Sequence, residues 1–597
     1  MKLKYLIALI VAGTAMIVVP ALFHRRAPRI VKRFFSEPGS ALDLAIFRIV
    51  LFGALLWFFP PGSLLYFASL PRELLSPPVG LGWLVAWLPI TPTLAAVIYG
   101  AFVASAAAAL IGWHTRWAAV LAAALGLYVL GVPQLYGKIN HYHHVLWFAA
   151  ILAASPCGDA LAVDAVRRRW RQRALPVQPT APVSLAYSLP LRFVWLIMGM
   201  IYFWAGTWKL WTEGWAWAFS DNLKFAMYEK WLQLGGWTPP FRIDRFDTLC
   251  HLLAAYTIVF EIGFVFLILF PWGRGLAAVL GLGFHRGTSF FMQIGFATLE
   301  ICYVAFVSWA WLLGAVGQWL FPTRATLWYD GDCSSCRRAI AVIQELDVLG
   351  RVDYRNLREA TADAPDIVLE TERGRIAGFG AYRALAWRIP AFWPLLPLLA
   401  LPPIRWAGER SYRAVADHRR CVLDQPTPAA LTPARDWRPA AIVGSALVYV
   451  LVLSSIAKYH SWPFAAYPTF EDLLTRPEVA VLYLEAETAD GRAVRQDALR
   501  ERLLPRMPPE RYHALLYRAL TVKDPQARRT RFNALWCTAV RERPELATLR
   551  HVTFHQAIVS TRPEDWGAPP LSATRLAEFP PTDCARPFAG SRADRGR

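Results

Sequence analysis

Apolar stretches near the roughly 20 residues a bilayer requires recur through the first half of the chain. They fall at 3–23, 43–60, 92–112, 117–133, 143–156, 190–211, 248–270, 275–292 and 295–320, with a last one at 440–456. Between 322 and 438 the pattern changes. ATLWYD (325–330) reads as a buried strand, RRAIAVIQELDVLG (337–350) as a helix and VDYRNL (352–357) as a second strand. IVLETERGRIAGF (367–379) reads as a hairpin turning at Arg373–Gly374, and a helix should follow from position 380. Beyond 461 the chain is polar, with a strand-like VAVLYLEAET, a turn at Asp490–Gly491 and helical segments. Its Pro- and Arg-rich end, from position 562, reads as disordered. The pattern predicts a mainly α, multi-pass transmembrane helical bundle with an inserted α/β domain and a small α+β C-terminal domain. The divisions it predicts are 1–30 (N-terminal transmembrane anchor), 31–321 (bundle), 322–438 (inserted domain), 439–460 (final transmembrane helix) and 461–597 (C-terminal domain with a disordered tail).

Composition agrees: 56% of the 597 residues are hydrophobic, too many for a soluble multidomain protein. The net charge of +20 does not argue for nucleic acid, because the basic clusters HRRAPRIVKR (24–33) and RRRWRQR (167–173) flank apolar spans. Basic residues there orient a membrane protein, with the positive loops in the cytoplasm. Threaded alternately, the spans keep Arg116, 167–173 and Arg274 cytoplasmic. Loops 61–91, 134–142 and 212–247 then lie outside, the first and last of them along the interface. The predicted location is the inner membrane of a cell, with the inserted domain cytoplasmic and the C-terminal tail extracytoplasmic.

Polar residues inside such spans mark candidate chemistry, because an ionisable group there is costly. In YFWAGTWKLWTE (202–213), Tyr202, Gly206, Lys209 and Glu213 share one helical face. Lys209 is either a functional amine or an anchor snorkelling to the headgroups. GKINHYHHVLWF (137–148) places Asn140, His141 and His144 at the outer start of a span, His141 and His144 on one helical face. FHRGTSFFMQIGF (284–296) carries His285 and Arg286, and LAIFR carries Arg48. These residues together suggest one interior pocket. A lysine desolvated among aromatic rings can act as a neutral base. A quinol, as a lipid-soluble acid, would reach it from the bilayer.

Cys333-Ser-Ser-Cys336, between a strand and a helix, is the sharpest local signal. A helix start stabilises a thiolate, which makes Cys333 the attacking thiol and Cys336 the resolving one. No second pair of ligands follows at zinc spacing, and nothing in the sequence requires a metal. The other six of the eight cysteines are scattered singly and suggest no disulfide framework.

YDGDCSSCRR (329–338), GRIAGFGAYRAL (374–385) and PLLALPPIRWAGERSYRAVADHRRC (397–421) resemble the DCC family of thiol-disulfide oxidoreductases. That resemblance implies a thioredoxin-like fold, protein thiols or disulfides as substrates, and Pro365 opposite the dithiol as a structural cis-proline. LAIFR at Arg48, Asn140–His141, Tyr202–Leu210, Phe284–His285 and Ile294–Gly295 resemble, in that order, the HTTM domain shared with vitamin K-dependent gamma-carboxylases. It implies Lys209 as the base that deprotonates a quinol of vitamin K or menaquinone type, with His141 assisting. Arg48, Asn140, His144, Tyr202, Gly206 and His285 would line the quinone pocket. Trp208 stands where the animal enzyme has a lysine, and the outer domain is far shorter. Glutamyl-peptide and propeptide recognition are therefore not implied. The alternatives are a haem or metal membrane protein using His141, His144, His251 and His285, or a scaffold or transporter whose dithiol senses redox state. The expected partners are the bilayer, a quinol and thiol proteins, with no nucleic acid.

Overall fold

A computed structural model describes residues 29–171, 183–331, 333–359, 367–417, 435–468, 470–488, 491, 493–497, 502–579 and 584. The expected N-terminal anchor, over 1–28, and Pro365 lie outside them. Six helices are long and apolar enough to cross a membrane, which is compatible with a multi-pass membrane protein. They are α1 (Ala41–Phe58), α2 (Pro92–Ile111), α3 (Thr115–Gly131, running on as a 3-10 turn to Leu135), α5 (Leu185–Glu213), α6 (Asp247–Leu267) and α11 (Arg438–Ile456).

Three expected spans differ. The stretch 143–156 contains only α4 (His144–Ala153), ten residues or about 15 Å of helix, half of what a bilayer needs. The stretch 275–292 lies in α7 (Pro271–Met292), which is 22 residues long but carries Arg274, His285 and Arg286 and is not among the six. The stretch 295–320 breaks at Val307–Ser308 into Ala297–Phe306 and α8 (Trp309–Leu320), bent by 70°, a seventh span only if the two count together.

Helices α5 and α6 form the seam on which the bundle is built. Ser184 caps α5, its Oγ accepting from Ala186 N, and Gly214 at φ +59° ends it. Small residues set the spacing of the seam: a Cβ on Gly206 would lie 2.8 Å from Ile262 Cγ1, and one on Gly199 would lie 3.2 Å from Val265.

At one end of the bundle, Asp164 accepts from the backbone N–H and the hydroxyl of Thr115, at the start of α3. The inserted domain docks at this end. Its sheet has the order β2–β1–β3–β4, formed by β1 (Ala325–Tyr329), β2 (Val352–Asn356), β3 (Val368–Thr371) and β4 (Gly374–Ala377). The β1–β2 pair is parallel and the others antiparallel. Helix α9 (Ser334–Leu346) starts three residues before the predicted helix, and α10 (Phe379–Ala386) follows β4. This domain has its own core, around Leu327, Ile340 and Leu369.

The C-terminal domain docks at the opposite end, where α3 finishes. Its buried Arg511 donates to the carbonyls of Pro133 and Lys138 and to Gln134 Oε1. Four antiparallel strands, β5 (Glu478–Thr488), β6 (Ala493–Asp497), β7 (Leu549–Ser560) and β8 (Ser572–Phe579), lie in the order β8–β7–β5–β6 against α12 (Pro509–Leu520) and α13 (Pro525–Glu542). The expectation of disorder from 562 is corrected over 572–579. That segment is a strand whose Phe579 stacks on Phe532 at 3.8 Å. Cys537 and Cys584 form a disulfide beside it, which the scattered cysteine spacing did not suggest. The apolar core of this domain is continuous with that of the bundle.

Candidate functional sites

Two sites emerge, one in the inserted domain and one along the bundle seam. In the first, strand β1 delivers the chain to a turn in which Asp330 Oδ1 accepts from Cys333 N, and Asn356 Oδ1 accepts from Gly331 N. Cys333 is the N-cap residue of α9 and Cys336 lies in its first turn. The start of the helix leaves the second thiol, not the first, the more exposed. Cys333 is 1% exposed, whereas Cys336 is only partly covered, because the helix begins at Ser334 and carries Cys336 outward on it. At the far end of α9 from the dithiol, burial pushes the Asp347 carboxyl up to about 6, even though it accepts from Gly350 N and the Tyr354 hydroxyl. Helix α9 also ties the domain to the bundle. Glu345 accepts from Leu161 N at 3.1 Å and pairs with Arg169 at 2.7 Å.

In the second site, Lys209 near the end of α5 is 2% exposed and donates to both carboxylate oxygens of Glu261, at 3.0 and 2.8 Å. Its Nζ also sits 5.1 Å from the centre of the Trp217 ring. The carboxylate that meets Lys209 is thus Glu261 on α6. Gly206 is what lets this happen: a Cβ there would lie 2.9 Å from Glu261 Cβ, so its absence brings α6 close enough for the pair. One turn back, the Tyr202 hydroxyl lies 2.6 Å from His285 Nε2 and 2.9 Å from the Tyr303 hydroxyl. His285 and Arg286 do not act together. His285 points into the bundle, and the largely exposed Arg286 pairs with Glu300.

The 137–148 motif is not helical throughout. Gly137 at φ +84° opens a loop, held where Gln134 accepts from Asn140 N, and the helix begins only at His144. His141 and His144 therefore do not share a helical face. His144 has both ring nitrogens occupied, Nδ1 by the Tyr467 hydroxyl at 2.9 Å and Nε2 by the Thr298 carbonyl at 3.0 Å. His141 lies in the loop with its ring 5.6 Å from Tyr467 and 6.3 Å from His460. Burial, with His460 and Lys138 nearby, pushes it down to about 3, so its imidazole is neutral at pH 7. Among the described residues, His141 Nε2, both nitrogens of His143, His285 Nδ1 and Trp204 Nε1 are buried without a hydrogen-bond partner. Such groups are costly unless a ligand or water meets them, and they suit the oxygens of a polar-headed lipid-soluble molecule.

Arg48 is not part of this layer. Its guanidinium donates to the carbonyls of Cys157 and Leu161, at 2.7 and 2.6 Å, and is within 3.4 Å of those of Ala160 and Leu110, which clamps the end that bears the inserted domain. Among the described residues no three His, Cys, Asp or Glu side chains are placed to hold a metal ion, and His251 packs near Phe219.

Sequence reasoning missed Glu261, Tyr303 and Tyr467. Glu261 did leave a signal, as the lone acid within the apolar run YTIVFEIGF. No curated protein and no solved structure matches the chain. Residues 327–424, which include both cysteines and none of the bundle seam, match the family of DCC1-like thiol-disulfide oxidoreductases.

Proposed function

We propose that the chain is a membrane-bound oxidoreductase whose inserted, thioredoxin-like domain performs thiol-disulfide exchange. The observation that carries this is the placement of Cys333 at the N-cap of α9 with Cys336 one turn on, inside the segment that matches the DCC1-like family. The strand order β2–β1–β3–β4 supports the thioredoxin-like reading. The helix start favours thiolate at Cys333. That thiolate attacks a substrate disulfide, its S–S bond breaks, and a mixed disulfide forms with one substrate thiol released. The Cys336 thiolate then attacks Cys333 Sγ, releasing the second substrate thiol and leaving Cys333–Cys336 oxidised. Two electrons and two protons pass to the substrate. The partly covered Cys336 offers the rival order of attack, and trapping separates the two. Cys336→Ser should accumulate a mixed disulfide through Cys333, while Cys333→Ser should accumulate none, read as reductant-sensitive adducts by mass spectrometry. Adducts formed by Cys333→Ser alone would exchange the roles.

A second reading concerns the bundle and rests on the buried Lys209–Glu261 pair. We infer that this pair, with Tyr202, His285 and the neutral His141, forms a quinol site of the kind the HTTM resemblance implies. The step proposed is loss of a quinol hydroxyl proton to give the quinolate, which an oxidant such as dioxygen then takes to the quinone by accepting its two electrons. The protein's part is to hold the quinol oxygens at the unpartnered histidine and tryptophan nitrogens, to exclude water, and to accept a proton at Lys209 Nζ, whose own proton has first passed to Glu261. Tyr202 and His285 orient one another across their 2.6 Å contact. Carboxylation and epoxidation are not part of this proposal.

A further inference from the structure

The inserted domain carries a segment that its core anchors only at Ile389 and, in part, at Phe392 and Tyr412. Residues 390–400 form two short apolar helical turns, and a 16-residue helix, Pro402–Asp417, follows; no residue of either turn is buried. Trp387, Trp393, Leu398 and Trp406 are 63%, 40%, 53% and 62% exposed. A helical stretch that is apolar all round belongs inside a protein or in lipid, and an uncovered apolar patch of this kind marks an interaction site.

Its position specifies what covers it. Arg388 donates to the Thr323 carbonyl at 3.1 Å and lies 4.8 Å over the Phe321 ring, immediately after α8 ends at Leu320. The beginning of the segment is thus fixed beside the point where the chain leaves its last apolar helix, whose own Trp319 is 79% exposed. The domain is also tethered on its other side, since α11 starts at Arg438. Arg405 and Arg410 follow the apolar turns, and Arg410 lies 4.9 Å over Trp406. Tryptophan interleaved with arginine beside an apolar face is the composition of a segment lying in the headgroup–acyl boundary of an anionic leaflet.

We propose that residues 387–410 form an interfacial hairpin that inserts into the leaflet on the inserted domain's side of the membrane. It would add an attachment to the lipid itself, beyond α8, α11 and the contact of α9 with the bundle, and hold the dithiol at a fixed height above the lipid. The inference does not depend on the quinol reading.

The test uses the full-length protein in nanodiscs of phosphatidylcholine and phosphatidylglycerol that carry a lipid with a photoactivatable diazirine in its acyl chain. Peptides covering 390–406 should be labelled as heavily as those covering 309–320, while the hairpin 368–377, exposed at its turn and along β4, stays unlabelled. A Trp393→Glu/Leu398→Glu variant should lose the 390–406 labelling and keep that of 309–320, which shows that the bundle is still inserted. Labelling of 390–406 no higher than that of 368–377 would overturn the proposal. So would labelling that is absent because a second copy covers the segment, seen as cross-links between 390–406 of two chains.

Discussion

Lys209 and Glu261 are almost entirely removed from solvent, so deleting either alone strands a buried charge, a loss of about 3–5 kcal/mol. The informative variants therefore keep the charge or remove both partners. Lys209→Arg can still pair with Glu261 but cannot be deprotonated. It should fold, keep dithiol exchange and lose quinol oxidation, measured with purified protein in lipid. Lys209→Met/Glu261→Leu should be about as stable as the parent and equally inactive. Full quinol oxidation by Lys209→Arg would remove the base from the proposal. Asp347 makes a separate prediction. Its carboxyl is raised by burial from 3.8 to about 6, so the folded domain holds that proton more tightly than the unfolded chain. The stability from this group is greatest below 3.8, falls as pH rises through the window to about 6, and is level above it, a change of roughly 3 kcal/mol. Hydrogen exchange of the β1 and α9 amides, corrected for intrinsic rates, should show that decline. Asp347→Asn, which can still accept from Gly350 and Tyr354, should flatten it.

At the level of elements, the site depends on how closely α5 and α6 approach. Gly206→Ala would place a Cβ against Ile262 and Glu261, and such overpacking costs roughly 1–3 kcal/mol. Gly263, next to this seam on α6, has open space around its Cβ position and serves as the control. Gly206→Ala should lower the thermal midpoint and weaken quinol oxidation, whereas Gly263→Ala should do neither. Equal effects of the two variants would show that the seam is not what positions Lys209. The sequence made Lys209 visible because one amine among Trp, Phe and Leu breaks the local pattern. It could not reveal Glu261 as the partner, since that pairing joins helices 52 residues apart and depends on their relative register. The i,i+3 spacing of His141 and His144 looked helical, but Gly137 and the hydrogen bonds of Gln134 make a loop there. The strand 572–579 was hidden for a related reason. Its stability comes from Phe532 and the Cys537–Cys584 bond, neither of which is local. The dithiol loop was legible almost whole, because strand, CxxC and helix are adjacent in the chain.

For the whole molecule, the two appended domains sit at opposite ends of α3, one beside Thr115 and the other beside Pro133. If α3 crosses the bilayer, these domains face different compartments, and the topology the sequence predicts suits the chemistry of their cysteines. Cys537–Cys584 closes a loop of sequence separation 47, worth about 4 kcal/mol by loop entropy, and such bonds persist in an oxidising compartment. A dithiol at Cys333 and Cys336 that works as a reductant would be kept reduced in the cytoplasm. The basic cluster at 167–171 lies at the inserted domain's end, where Arg169 meets Glu345, and basic loops stay cytoplasmic. The tail should therefore be outside the cytoplasm and the dithiol inside. Native Cys537 cannot report this, being buried and bonded, so introduced cysteines must. Leu571 of the C-terminal domain is 61% exposed, and Arg373 lies in the exposed turn between β3 and β4. With an impermeant thiol reagent, Leu571→Cys should be modified in intact cells, and Arg373→Cys only after the membrane is opened. Modification of Arg373→Cys in intact cells while Leu571→Cys stays protected would invert the topology. It would also place the dithiol among oxidants, where its resting form would be the disulfide.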